Sequence, residues 1–142
     1  MSPLRLVEEH DAPNGARQVV EDGLNAYNIA ATGESEYYPV AIFLKDDHGV
    51  VHGGVLGDVW SGWLHISYLW IDTPFRDQGF GSRLLRAAES YVRERGCLNV
   101  CLETHSFQAP AFYQKHGYEI FGTLPDFPLG HAKYFLRKRL TS

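Results

Sequence analysis

The segment Leu69-Trp70-Ile71-Asp72-Thr73-Pro74-Phe75-Arg76-Asp77-Gln78-Gly79-Phe80-Gly81-Ser82-Arg83-Leu84-Leu85 holds the pattern with the clearest chemistry. An apolar run gives way to a glycine-containing turn and then to apolar residues at helical spacing, so strand, turn and helix follow one another directly. At the start of such a helix the N–H groups of Gln78, Gly79, Phe80, Gly81 and Ser82 lack intrahelical acceptors. Together with the positive end of the helix dipole they form a cradle for an anion such as a phosphate. Gly79 permits tight curvature, Gly81 lets a phosphate approach the backbone, and Arg76 or Arg83 can add charge-assisted hydrogen bonds. Two familiar nucleotide-binding patterns do not fit. No Walker lysine followed by Ser or Thr occurs, and Arg76 stands where a dinucleotide fingerprint has glycine.

A turn of this kind needs a sheet to launch it and a packed helix to hold it. Leu4 to Glu8 reads as a short edge strand, with a turn at Asp11, Ala12, Pro13 and Asn14. A helix follows, with Ala16, Val19, Val20, Leu24 and Tyr27 on one side, and residues 31 to 37 read as a loop or a mobile second helical turn. Val40 to Lys45 and Val50 to Val59 form two antiparallel strands around Asp46-Asp47-His48-Gly49. A third strand, Leu64 to Ile71, comes after the tight Ser61-Gly62 turn, and plain alternation puts Leu64, Ile66, Tyr68 and Trp70 on one face. The opposite face then carries His65, Ser67, Leu69 and Ile71. A helix from Gly79 to Arg95 stops at Gly96, a strand carries Leu98, Val100 and Leu102, and a short helix spans Ala109 to His116. Tyr118 to Leu124 and Ala132 to Leu140 complete the strands. The expected fold class is α/β, or α+β by another convention: a mixed, largely antiparallel central sheet of about seven strands flanked by helices. At 142 residues the chain is long enough for one core, so a single domain over residues 1 to 142 is expected.

Composition narrows the function classes. Seventeen acidic residues against thirteen basic ones give a net charge of -4, which argues against nucleic acid as the main partner. Residues 1 to 50 hold Glu8, Glu9, Asp11, Glu21, Asp22, Glu34, Glu36, Asp46 and Asp47 against Arg5, Arg17 and Lys45. If that half lines a substrate entrance, it favours a cationic substrate. No apolar stretch approaches membrane-spanning length and the first residues lack the apolar core of a signal peptide, so a cytoplasmic protein without membrane contact is expected. Cys97 and Cys101 lack redox or zinc spacing, and the seven histidines lack compact ligand spacing, so no metal is expected. Ser106, within His105-Ser106-Phe107-Gln108, lacks the glycine-flanked elbow of a serine hydrolase.

Arg76-x-x-Gly79-x-Gly81 after a strand resembles the acyl-CoA pyrophosphate motif of the GNAT superfamily of CoA-dependent N-acyltransferases. Ala109-Pro110-Ala111-Phe112-Tyr113-Gln114-Lys115-His116-Gly117-Tyr118 resembles the fourth-helix signature of the same family, with Tyr113 and Gly117-Tyr118 in register. The resemblance implies a V-shaped split between the strand ending near Ile71 and the strand from Leu98 to Thr104, with pantetheine in the split. It implies cofactor contacts at Leu69, Trp70 and Ile71, pyrophosphate on Gln78 to Ser82, and Tyr113 as general acid. Ser106 stands where the family frequently has asparagine, leaving one polar cofactor contact only partly replaced. The activity implied is transfer of acetyl from acetyl-CoA, without a metal, to a primary amine of a small molecule or peptide. A noncatalytic acyl-CoA-binding regulatory module is the alternative, a fold in which the glycines serve only chain geometry is a third reading, and a homodimer is compatible with either of the first two.

Such a transfer asks for a base and an acid. An alkylammonium of pKa about 10 must lose a proton before its nitrogen attacks, and the departing thiolate gains from receiving one. Tyr113 has a phenolic proton for the second task. Glu103, opposite in parity to Leu98, Val100 and Leu102, is the first choice of base, with His65 and His105 as alternatives or as acceptor contacts. Tyr27, Tyr37 and Tyr38 are expected to cap the acceptor. Trp60, Trp63, Tyr68 and Trp70 supply an aromatic wall or ordinary cross-strand packing.

Overall fold

A computed structural model describes residues 2–12 and 14–141. These residues fall into two compact units, one up to Ser35 and the other from Glu36 onward. In the first unit, α1 (Asn14–Thr32) runs further than its apolar pattern predicts, through Ala31 and Thr32. Its last turn is closed by Gly33 N–H on the Ile29 carbonyl at 2.7 Å and by the Thr32 hydroxyl on the Asn28 carbonyl at 2.7 Å. Leu4 to Glu8 is not a strand. Alternating apolar residues suggest one there, but a strand exists only through a neighbour's backbone, and these residues have no ladder partner. Of the expected turn before α1, Pro13 lies outside the described residues.

The second unit is built on a six-stranded sheet rather than about seven, the missing strand being Leu4 to Glu8. Its elements are β1 (Tyr37–Lys45), β2 (Val51–Trp60), β3 (Trp63–Ile71), α2 (Phe80–Arg93), β4 (Asn99–His105), α3 (Pro110–Lys115), β5 (Glu119–Pro125) and β6 (Ala132–Arg139). The order across the sheet is β1-β2-β3-β4-β6-β5, and the pairing is antiparallel except between β3 and β4. The β1–β2 hairpin turns where expected, with the Asp46 carboxylate accepting from the N–H groups of His48 at 2.8 Å and Val50 at 3.0 Å. The β2–β3 hairpin turns on Ser61 and Gly62, both at positive φ, 52° and 83°.

One irregularity in β3 overturns the plain alternation expected there. Leu56 faces Tyr68 while Gly57 faces Ile66, so Ser67 is an extra residue and the strand changes face across it. Leu64 and Ile66 therefore share the core face with Leu69 and Ile71, while Tyr68 and Trp70 point the other way and are exposed. Gly57 makes this geometry attainable: a Cβ on it would sit 2.4 Å from the His65 carbonyl oxygen, closer than any side chain tolerates.

The core lies between this face and α2, where Leu84, Leu85, Ala88 and Val92 meet Val40, Val55, Val59, Val100, Leu102 and Leu136. One charged residue sits in the same apolar stripe. Glu89 is buried and accepts from the Tyr118 hydroxyl at 2.6 Å and from Lys138 Nζ at 3.0 and 3.1 Å, joining α2 to the β5–β6 half of the sheet. Burial first, and then the Glu89 hydrogen bond and charge, raises the Tyr118 phenol well above its ordinary range. Removing one partner of such a pair strands the other charge. Glu89→Ala is thus expected to cost roughly 3 kcal/mol in urea denaturation at neutral pH, with Glu89→Gln costing less. An unchanged midpoint for Glu89→Ala would show that the contact does not brace the fold.

Candidate functional site

Parallel pairing of β3 with β4 runs from Trp63 opposite Asn99 to Ile66 opposite Leu102 and then ends. Beyond that point, among the described residues, β3 stays paired only to β2 and β4 only to β6, so each leaves one backbone edge without a ladder partner there. A cleft of about 810 Å³ opens at the divergence. The cleft is lined by Leu69, Trp70, Ile71, Arg76, Gly79, Phe80, Gly81, Ser82, Glu103 and Tyr113, among other residues.

The turn that leaves β3 supplies one wall. Asp72 caps a short 3₁₀ turn, Thr73–Phe75, accepting the Thr73 N–H at 2.8 Å. Arg76 Nε donates to the Ile71 carbonyl at 2.8 Å, folding the turn back on the strand it has just left. Gly79 caps α2 at φ 83°, a left-handed conformation that resists other residues. The first backbone bond of α2 runs from Arg83 N–H to the Gly79 carbonyl at 3.1 Å. The N–H groups of Gln78 to Ser82 have no acceptor among the described residues. These free donors at the positive end of α2, beside an open cleft, fit a pyrophosphate. The Gln78 side chain donates to the Pro74 carbonyl at 3.1 Å. Arg83 is exposed, with its guanidinium 5.5 Å from the Phe80 ring centroid.

Opposite stands α3. Tyr118 N–H returns to the Tyr113 carbonyl at 3.1 Å and Gly117 N–H to the Gln114 carbonyl at 3.0 Å, which ends the helix after one and a half turns. Tyr113 is buried against Phe112 and Tyr118, and its hydroxyl has no protein partner among the described residues. Burial pushes this phenol up to about 12, so it keeps its proton across the physiological range. Glu103 enters the cleft from the opposite face of the sheet, since Leu102 and Thr104 on either side of it are buried in the core. Glu103 Oε2 lies 2.6 Å from His65 Nε2, a side chain on that same face.

Tyr27 is on α1, in the first unit. Within the second unit the fold does not gather every sequence candidate. Tyr37 pairs with Trp60, and Trp60 with Trp63, which places Tyr37 and Tyr38 at the end of the sheet where β3 and β4 are still paired. There the Tyr37 hydroxyl donates to Asp58 at 3.3 Å, and the Asp58 charge raises its pKa. Tyr38 packs edge-on against Tyr91, and burial raises its phenol. Ser106 is engaged with β6: its N–H donates to the Ala132 carbonyl at 2.8 Å and its hydroxyl accepts the Ala132 N–H at 3.0 Å. The His105 ring meets the Gln108 side-chain oxygen at 3.1 Å and stacks on Phe107. The Cys101 thiol is raised, first by burial and then by the charges of Glu103 and Asp58, which disfavours a thiolate. Two residues that the sequence reading passed over bear on the site. Glu89 could have been noticed as a charge at an apolar position of α2, whereas His116, bonded to Ser82 at 2.8 Å, gave no signal.

Comparison with known proteins places this geometry. The sequence model of the Acetyltransferase (GNAT) family matches residues 6–118. The chain is 42% identical over 101 residues to a blasticidin-S acetyltransferase of Streptomyces morookaense, covering 70% of this chain and 74% of that one. It is 33% identical over 124 residues to acetyltransferase Atu2258 of Agrobacterium fabrum, covering 87% and 90%. The crystal structure of an acetyltransferase from Bacillus cereus superposes with a TM-score of 0.84 at 34% identity, covering 94% of this chain and 98% of that one.

Titration with inorganic pyrophosphate tests the cradle independently of any reaction. Amide resonances of Gln78 to Ser82 should move in an ¹H–¹⁵N spectrum, and Gly81→Val, whose Cβ would lie 3.4 Å from the Phe112 ring and whose branched side chain would crowd the approach to these N–H groups, should abolish the shifts. Equal responses in both proteins would remove the cradle from consideration.

Proposed function

This chain belongs to the GNAT acetyltransferase family, and on that premise we propose that it moves acetyl from acetyl-CoA directly to a primary amine of a small molecule. In this reading Glu103 accepts the amine proton and Tyr113 protonates the departing sulfur. Acetyl-CoA, when bound, supplies an acyl group activated as a thioester. The free N–H groups of Gln78 to Ser82 hold its pyrophosphate, and the unpaired edge of β3 at Leu69, Trp70 and Ile71 offers backbone donors and acceptors to its amide-bearing arm. The same edge offers N–H donors to an oxygen that gains negative charge.

The observation that carries the proposal is that Tyr113 and Glu103 line one cleft from opposite faces of the sheet. Glu103, hydrogen-bonded to His65, has its carboxylate on the face from which an amine can approach. Tyr113 keeps its proton on the other face, where the thiol must leave. The named acetyltransferase relatives support turnover over a noncatalytic binding module. The blasticidin-S enzyme supports a small-molecule acceptor over a peptide.

Release of CoA thiol from acetyl-CoA in the presence of a panel of small amines tests this. Tyr113→Phe should lower kcat about 100-fold while KM for acetyl-CoA stays near its original value. Because burial pushes its phenol up to about 12, wild-type kcat should show no loss of this acid up to pH 10. Glu103→Gln should lower kcat/KM for the amine while leaving acetyl-CoA binding near its original value. Wild-type turnover in both variants would reject the assignment.

A further inference from the structure

Where α2 meets α3, Ser82 Oγ lies 2.8 Å from His116 Nε2, partly shielded from solvent. Ser82 sits in the first turn of α2 and lines the cleft beside the free N–H groups. His116 caps the C-terminus of α3, and its ring packs against Phe112 with centroids 4.9 Å apart. Burial, and then the charge of Arg86 on α2, lower its pKa, with Lys138 on β6 and Lys115 on α3 acting the same way and Glu89 on α2 opposing them. The ring is therefore neutral at neutral pH and carries one N–H, on either Nδ1 or Nε2.

The two tautomers give Ser82 opposite characters. With hydrogen on Nδ1, Nε2 accepts the serine hydroxyl hydrogen, and Ser82 turns only lone pairs toward the cleft. With hydrogen on Nε2, the ring donates to Ser82 Oγ and leaves the serine hydrogen free to point outward. An anion held by the N–H groups of α2 repels the first arrangement and is hydrogen-bonded by the second.

We propose that His116 is a positioning residue that donates from Nε2 to Ser82 and so turns the Ser82 hydroxyl into a donor for the pyrophosphate of the acyl donor. The proposal rests on the reading of the cleft as an acetyl-CoA site and assigns a role to two side chains within it. It also joins the anion grip to α3, because His116 caps the helix that carries Tyr113.

Two measurements on the whole chain test it. The first is calorimetric binding of CoA and of S-acetylpantetheine, which lacks the pyrophosphate. His116→Ala should weaken CoA about tenfold and leave S-acetylpantetheine unchanged, and His116→Gln, which can place an amide N–H toward Ser82, should restore most of the loss. Equal weakening of both ligands by His116→Ala would mark a general structural role and overturn the proposal, as would full CoA affinity in that variant. The second uses wild-type protein alone and does not depend on how the variants fold. Long-range ¹H–¹⁵N correlation of the His116 ring in the CoA complex should report hydrogen on Nε2, and hydrogen on Nδ1 alone overturns the proposal. Failure of the wild-type chain to bind CoA at all would instead reject the acetyl-CoA reading on which the proposal stands.

Discussion

The end of the β3–β4 pairing at Ile66 and Leu102 is the constraint on which the site depends. In an unbroken sheet, Leu69, Trp70 and Ile71 would spend their backbone groups on β4, and nothing could reach between the strands. The extra residue at Ser67 turns β3 just where the pairing stops. Two consequences follow from that single residue. The strand edge becomes available to a ligand, and Leu69 and Ile71 swing onto the core face, so the diverging end of β3 remains anchored by apolar contacts. Gly57 opposite is the sequence's allowance for the bulge, because only a residue without Cβ lets the His65 carbonyl come so close.

A sheet that parts in the middle loses hydrogen bonds across the gap, and α2 and α3 replace that connection. Leu84, Leu85, Ala88 and Val92 hold α2 against β1 to β4, and Glu89 reaches Lys138 and Tyr118 in the other half. Elsewhere the halves are joined by four paired positions of β3 and β4, the shared apolar core, the His65–Glu103 contact and the Asn99 side chain on the Gly62 carbonyl. The polar contact is costly to bury, and its place in the stripe makes sense as a tie across the opening. At the opposite end of α2, the Ser82–His116 bond adds a link to α3 beside the free N–H groups.

The local elements were legible because each carries its own punctuation. Asp46 to Gly49, Ser61-Gly62 and Gly96 mark turns through side-chain bonds or positive φ, and α2 announces itself by Leu84, Leu85, Ala88 and Val92. The glycine turn before α2 was legible for the same reason. Long-range relations were not. Leu4 to Glu8 alternates like a strand, yet alternation cannot supply a partner. Tyr37 and Tyr38 lie close in sequence to other aromatic candidates, but antiparallel register carries them to the paired end of the sheet. The bulge at Ser67 defeated face assignment because alternation holds only while the ladder is regular. His116 was invisible for a related reason: its partner lies 34 positions away, and only the packing of α3 on α2 brings them together.

The placement of Tyr113 and Glu103 on opposite faces has a consequence for how their protons are kept. A phenol and a carboxylate within hydrogen-bond reach of each other would pair, so that the carboxylate would be tied up and the phenol's proton directed at the wrong acceptor. Here the sheet stands between them except at the split, Glu103 faces His65, and the Tyr113 hydroxyl has no protein acceptor among the described residues. Burial makes the Tyr113 phenolate costly and so holds its proton. In the proposed reaction a ligand that fills the split connects the two groups, and the opening between β3 and β4 would both bind it and keep the proposed acid and base apart until it arrives.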